Sequence, residues 1–355
     1  TVIGEAEEEG ATERGYVYPE IEGYKIKLGK ISVGRPEVKE ADGSVRELMP
    51  MEARLRDLDY EAPLYLEFIP IKDGVEYEPE VVKIGELPIM VKSLACNISK
   101  GAFEEREGRK LTDEEYIELL RKVQEDPLDP GGYFISNGTE RVLITVEDLA
   151  PNRVLVEKDT QYGSEIEVAK IFSQKEGYRA LTVVEKRKDG ILMVSLPTTY
   201  GQIPLIVLLK ALGMENDEEI LNVMAMNPQL EPFILANIEE CTNEYGITTK
   251  DEAIAYLGKK FAGGQAKEYR IKRVESIMDK NLLPHLGNDP VDRITKAVFM
   301  ARMGMRVLEL ALGLIEPDDK DHYANKRLKL AGDLMEDLFR VAFTALCKDI
   351  KYQIE

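Results

Sequence analysis

The residues best supplied for chemistry are Asp318, Asp319, Asp321 and His322, set in one short run. Carboxylate oxygens grouped this closely are ligands that Mg²⁺ accepts, one or two at a time. Successive side chains leave a helix about 100° apart, so neighbouring acids cannot all converge on one ion while opening a helix. Their other use is to cap the last helix and favour its positive end, and that is the expectation here. The remaining inventory is thin. His285 and His322 are the only histidines, and His285 within LPHL reads as a structural residue at a helix terminus. Cys96, Cys241 and Cys347 are far apart and form no CxxC pair, which argues against a zinc site and a disulfide framework and suits a reducing interior. No GxxxxGK[ST] loop occurs, and no GxGxxG follows a strand. What is left is cationic: Arg141, then Lys186 and Arg187, Lys259 and Lys260, and finally Lys267, Arg270, Lys272 and Arg273. Such groups bind phosphates when they face a nucleic acid and otherwise form solvated faces.

These side chains need elements to hold them. Residues 16–33 and 60–71 alternate or run apolar as strands do, and 81–99 continue as strand around a turn at Gly85. Thr112 and Glu115 form a capping box for a helix over 113–125. Residues 133–146 predict a hairpin turned at Asn137-Gly138, since both residues tolerate positive φ. In its second strand Val142, Ile144 and Val146 would share one face, with Arg141 on the other. Three strands over 166–196, turned at Glu176-Gly177 and Asp189-Gly190, predict a meander. Helical spacing then takes over: from Ile203 to a C-cap at Gly213, and at 217–226, 230–241, 249–260 and 266–279. A long apolar helix follows Pro290, and a last helix spans about 324–350. It would set a polar stripe (Asp333, Asp337, Arg340, Thr344, Lys348) against an apolar one (Leu328, Ala331, Leu338, Ala345).

Composition narrows the class. The chain has 355 residues and a net charge of −19. The acidity is uneven, with 34 acidic against 20 basic side chains over residues 1–155. Residues 5–9 read as an acidic tail, and no stretch is long and apolar enough to span a membrane. With Thr1 rather than Met at position 1, the chain is expected to begin partway through a longer one.

Five stretches resemble one family. YEAPLYLEF (60–68), GELPIMVKS (85–93, leading to Cys96) and GYFISNGTERVLI (132–144) are similar to the "ysaPl", "G.lPiMlrS" and "GyFIiNGsEkvli" segments of second-largest subunits of multisubunit RNA polymerases. Leu196-Pro197 with IPLIVLLKALG (203–213) resembles the "iPivillkALG" helix of the archaeal and eukaryotic branch, and DDKDHYANKRLKLAG (318–332) resembles the "DDrDHygnKRldlaG" block. They occur in family order, and the likeness is weakest over 1–55 and 214–280.

The resemblance implies an α+β fold of two modules. A strand-rich protrusion (1–151 and 318–355) is closed by the C-terminal helix, and a mixed α/β lobe (152–317) is inserted into it. It implies a subunit of DNA-directed RNA polymerase lining one side of the DNA cleft in a cytoplasmic assembly. Its expected contacts are the other subunits, DNA and the RNA–DNA hybrid, initiation factors such as transcription factor B, and a NusG-type elongation factor. The nucleic-acid contacts would be made by Arg141, Lys186, Arg187, Lys259, Lys260, Lys267, Arg270, Lys272 and Arg273. No cofactor is expected in this segment, because the family's magnesium is held by NADFDGD in the largest subunit and no such sequence occurs here. Two other readings stay open: a free-standing acidic interaction module, and a carboxylate metalloenzyme built on Asp318, Asp319 and Asp321.

Overall fold

A computed structural model describes residues 15–19, 21, 23–161, 164–197, 199 and 201–354, so the acidic stretch at 5–9 lies outside the described residues. The chain is a mixture of strand-rich sheets and helices, and it divides into two compact units: residues 1–146 with 329–355, and residues 147–328.

The first unit is built on β5 (Glu61–Lys72), which pairs antiparallel with β2 (Tyr24–Val33) along one edge. Its other edge takes β6 (Val75–Glu76) and β7 (Glu80–Pro88), and β1 (Tyr16–Val17) extends the sheet beyond β2. Alternation explains the core here: Ile26 and Leu28 on β2 and Leu64 and Leu66 on β5 turn inward. Gly85 is not a turn but part of a bulge, since Leu64 pairs with Gly85 and Tyr65 with Lys83. The strand expected to continue to 99 stops at Pro88, and residues 91–99 wind through successive turns. β3 (Glu37–Lys39) and β4 (Val45–Glu47) form a small hairpin before α1 (Pro50–Leu55). α2 (Lys100–Glu107) and α3 (Asp113–Lys122) follow, α3 starting with the capping box at Thr112. The unit's second hairpin is β8 (Phe134–Ser136) with β9 (Thr139–Arg141).

The second unit opens at Glu147, within β10 (Val146–Leu149), and continues as an antiparallel meander. Its strands are β11 (Val154–Gln161), β12 (Ser164–Lys175), β13 (Tyr178–Lys186), β14 (Leu192–Ser195) and β15 (Ile203–Pro204), paired in that order. Glu176 (φ 50°) and Gly177 (φ 84°) make the expected tight turn. Every residue of α4 (Leu205–Ala211) is buried, Lys210 included, whose ammonium meets Asp217 at 2.9 Å. α6 (Glu231–Asn243) and α7 (Lys250–Phe261) pack on α4, while α5 (Asp217–Met224) lies against α6 and α8 (Lys267–Ser276) against α7. α8 ends earlier than expected and loosens into a π turn over Ile277–Asn281. α9 (Arg293–Ala311) packs against the meander and α4, and Gly304 permits the close approach, because a Cβ there would lie 2.4 Å from Leu205 Cδ2 on α4 and 3.1 Å from Leu192 Cδ1 on β14. Lys296 on α9 is fully buried and donates to the carbonyls of Met278 (2.9 Å) and Asp279 (2.7 Å), the open end of the π turn.

The chain returns through β16 (Lys326–Lys329), which pairs with β10, and ends in α10 (Ala331–Ile354). The last helix therefore starts later than the sequence suggested, because 326–329 are taken by a strand whose partner is distant in sequence. Its apolar stripe also differs. Phe343 and Cys347 are buried, with Phe339, Leu346, Ile350 and Ile354 packed beside them, whereas Leu338 and Ala345 are exposed.

Candidate nucleic-acid interface

Arg141 ends a hairpin whose other side is locked in place. Asn137 (φ 48°) and Gly138 (φ 70°) form the type I′ turn that Asn-Gly predicts. The Asp59 carboxylate accepts from Ser136 Oγ (2.9 Å) and Asn137 N (2.8 Å), and Gly138 N donates to Leu58 O (3.1 Å). Arg54 on α1 then clamps β9. Its Nε donates to Glu140 (2.7 Å), one Nη to buried Glu125 (3.1 Å) and the other to Tyr133 Oη (2.5 Å). Glu125 completes the clamp by accepting from Met51 N at 2.6 Å. Glu140 is thus spent on structure, while its neighbour Arg141 is exposed and has no side-chain hydrogen bond or ion pair among the described residues. The second strand is shorter than expected. It stops at Arg141, and Val142, Leu143 and Ile144 continue as exposed, unpaired chain, so no alternating face extends to Val146.

The second unit gathers some of its cations and engages others. Lys259 and Lys260 close α7, and Lys267 and Arg270 open α8. The two helices approach closely at Gly258, where a Cβ would stand 3.1 Å from Arg270 Cβ. Lys260 is pinned to the carbonyl of Gln202, whose amide reaches Glu185 on β13; burial lowers the lysine's pKa. That chain of bonds brings the end of β13 beside this corner. There Lys186 meets Glu167 at 3.1 Å across the β12–β13 pair, and Arg187 lies 3.9 Å from Asp189 within its own turn. Lys272 sits on the side of α8 away from Arg270, Val274 and Ile277, so it does not join the corner, and Arg273 is half-buried. Lys259, Lys267 and Lys272 are exposed. Residues 54, 59 and 125, which hold the hairpin, carried no signal in their spacing, because their partners lie more than 70 positions away.

The acidic run does something other than cap a helix. Asp318 Oδ2 accepts from Val156 N (2.9 Å) and Arg306 (3.0 Å), and Asp318 N donates back to Val156 O (2.7 Å), fastening the chain to β11. Asp319 accepts from Asp321 N (2.8 Å), and His322 Nδ1 from Ala324 N (3.0 Å). The expected cap is overturned, since α10 begins beyond β16. The carboxylates serve separate bonds, and among the described residues no three His, Cys, Asp or Glu groups are placed to share an ion. His285 pairs with Ser173 Oγ at 2.7 Å and meets Phe299 edge-on; burial, with Lys296 nearby, lowers its pKa.

A family-wide profile described as the RNA polymerase beta subunit matches residues 3–355. The chain belongs to that family. It is 50% identical over 348 residues to the DNA-directed RNA polymerase subunit Rpo2N of Methanocaldococcus jannaschii, covering 97% of this chain and 67% of that one. To the Rpo2N of Halobacterium salinarum it is 49% identical over 339 residues, covering 93% of this chain and 61% of the relative. To the Rpo2 of Saccharolobus solfataricus it is 46% identical over 343 residues, 97% of this chain and 29% of the relative. The chain thus spans about three fifths of the Halobacterium relative. Membership in the beta-subunit family confirms the resemblance first carried by the motifs. Among the described residues no helix is long and apolar enough to cross a membrane.

Proposed function

We propose that this chain is the part of an RNA polymerase second-largest subunit that lines one side of the DNA cleft and holds nucleic acid by its phosphates. In this reading the unit of residues 1–146 and 329–355 is the protrusion and the unit of residues 147–328 is the lobe, with edges within about a dozen residues of those the motifs suggested. Phosphate contacts fix position without reading sequence, which suits an enzyme that must transcribe any template. The observation that carries the reading is Arg141. It is an unpaired cation at the end of a hairpin fixed from behind by Arg54 and Asp59, so its placement costs little ordering when a phosphate arrives. Lys259, Lys267 and Lys272 are the best-placed lobe contacts, whereas Lys186, Arg187 and Lys260 must first release partners. Arg270 and Arg273 contribute through packing as well as charge. The remaining subunits, transcription factor B and a NusG-type factor are the protein partners of this cytoplasmic assembly, and the catalytic magnesium belongs to the largest subunit.

The test is Arg141→Glu in the assembled polymerase. Loss of one phosphate contact and gain of a repelling charge should shorten the life of elongation complexes about tenfold at raised salt, while subunit assembly stays intact. Equal lifetimes for the two enzymes across a salt titration would remove Arg141 from the interface.

A further inference from the structure

Asn137-Gly138 is the chain's one Asn-Gly pair, a sequence open to self-modification because no side chain hinders the glycine nitrogen. The reaction is intramolecular. The glycine nitrogen attacks the asparagine side-chain carbonyl carbon, an N–C bond forms, and the bond to the side-chain nitrogen breaks. Ammonia leaves with the glycine's proton. Water then opens the cyclic imide at either carbonyl, leaving aspartate or isoaspartate. Asn137 is exposed, and among the described residues its side-chain amide has no hydrogen-bond partner, so the electrophilic carbon stands in solvent.

The fold withholds the nucleophile instead. Ring closure needs the Gly138 nitrogen swung to the same side of the Asn137 Cα–C bond as Cβ. With φ at 48° and 70° the two residues form a type I′ turn, whose left-handed first residue turns that nitrogen away from Cβ. Three contacts hold the turn there. Asp59 accepts from Ser136 Oγ (2.9 Å) and Asn137 N (2.8 Å), and Gly138 N itself donates to Leu58 O (3.1 Å). Gly138 is also seated so closely that a Cβ on it would stand 2.9 Å from Asp57 Cα and 3.1 Å from Arg54 O. We propose that Asn137 is a hydrolytic modification site kept unreactive by Asp59 and the Leu58 carbonyl, with water as its only co-reactant. Its product disarms the hairpin. β8 and β9 are joined by these two residues alone, Ser136 facing Thr139, and isoaspartate adds an atom to the connecting backbone. Arg141, which faces Phe134 at the far end of that register, then loses its partner strand. The inference uses hairpin geometry and none of Arg141's charge, so it stands or falls independently of the phosphate-binding reading.

Peptide mapping of the 355-residue chain, incubated at mildly alkaline pH, tests it by reading the mass gain from amide to acid at Asn137 and the isoaspartate fraction. A synthetic peptide of residues 132–144 gives the unprotected rate. The folded chain should convert at least about tenfold more slowly than the peptide, because reaction waits for local opening. Asp59→Ala should raise the chain's rate about tenfold, with amide exchange quickening in proportion at 136–138 and unchanged in the buried core of the same unit. Equal rates for the wild-type chain and the peptide would overturn the proposal, and that comparison needs no variant to fold. So would an unchanged rate in Asp59→Ala. A rise accompanied by equally faster exchange throughout the unit would overturn it too, because protection would then come from global stability rather than from Asp59.

Discussion

Glu61 keeps a proton that an ordinary glutamate gives up near pH 4.5. Burial comes first among the causes, followed by the hydrogen bond and charge of Glu86 and the charge of Asp59, and together they raise its pKa to about 7. The β5–β7 register explains the meeting: Glu61 faces Pro88 and Pro63 faces Glu86, so the two carboxyls are diagonal neighbours. Glu86 moves the other way, held ionised first by the hydrogen bond it accepts from protonated Glu61 and then by Lys83 at 2.6 Å, so the shared proton stays on Glu61. A folded-state pKa above the unfolded one means that the folded protein binds more protons between those values. Stability from this group is therefore present below about pH 4.5 and is lost as pH rises through about 7. The full shift would correspond to about 3 kcal/mol, and partial solvent exposure reduces that to about 1 kcal/mol. Glu61→Gln should flatten the fall in urea midpoint between pH 5 and pH 8 relative to the wild-type chain. Parallel pH profiles for the two proteins would contradict the assignment.

The hairpin carrying Arg141 is also where sequence reading worked best and then failed. Asn137-Gly138 dictates a type I′ turn by itself, as Glu176-Gly177 does in the meander and Thr112 and Glu115 do at α3, because each signal is complete within four residues. The end of β9 was not legible. Val142 and Ile144 alternate like a strand, yet strand pairing requires a partner, and β8 supplies one only as far as Phe134 opposite Arg141. The start of α10 was missed for the same reason: Lys326–Lys329 read as helix until the distant β10 claims them. The cations were legible as residue types but not as free groups, since Lys186 is paired through a strand register and Lys260 through a loop carbonyl. Gly138 gives the element its own prediction. Its φ is +70°, and a Cβ there would lie 2.7 Å from Asp57 Oδ1 and 2.9 Å from Asp57 Cα. Gly138→Ala should cost about 1–3 kcal/mol, more than the usual positive-φ penalty because backbone as well as side chain must shift. The cost should appear in denaturant unfolding of the first unit, and hydrogen exchange should quicken at the amides of 135–141. An unchanged midpoint would show that Asp57 yields without cost.

For the whole chain, net charge and local charge oppose each other. A net charge of −19 repels DNA at long range, and much of the positive charge that remains is already committed to carboxylates. Arg141, Lys259, Lys267 and Lys272 are the exposed, unpaired members of the candidate set, and each releases roughly 0.9 counterion on meeting a phosphate. Binding of duplex DNA by residues 1–355 should therefore show a log–log salt slope no steeper than about −4, falling about a hundredfold between 50 and 200 mM salt. Lys259→Glu with Lys267→Glu should reduce that slope by about 2, because both side chains are exposed at the α7–α8 corner. Lys186→Glu should change it much less, since its partner Glu167 already neutralises the lysine. Fluorescence anisotropy with a labelled duplex at four or five salt concentrations measures all three slopes. A wild-type slope near −8, or an equal loss from Lys186→Glu, would mean that the ion pairs open on binding and that the acidic protein recruits far more of its positive charge than its free surface displays.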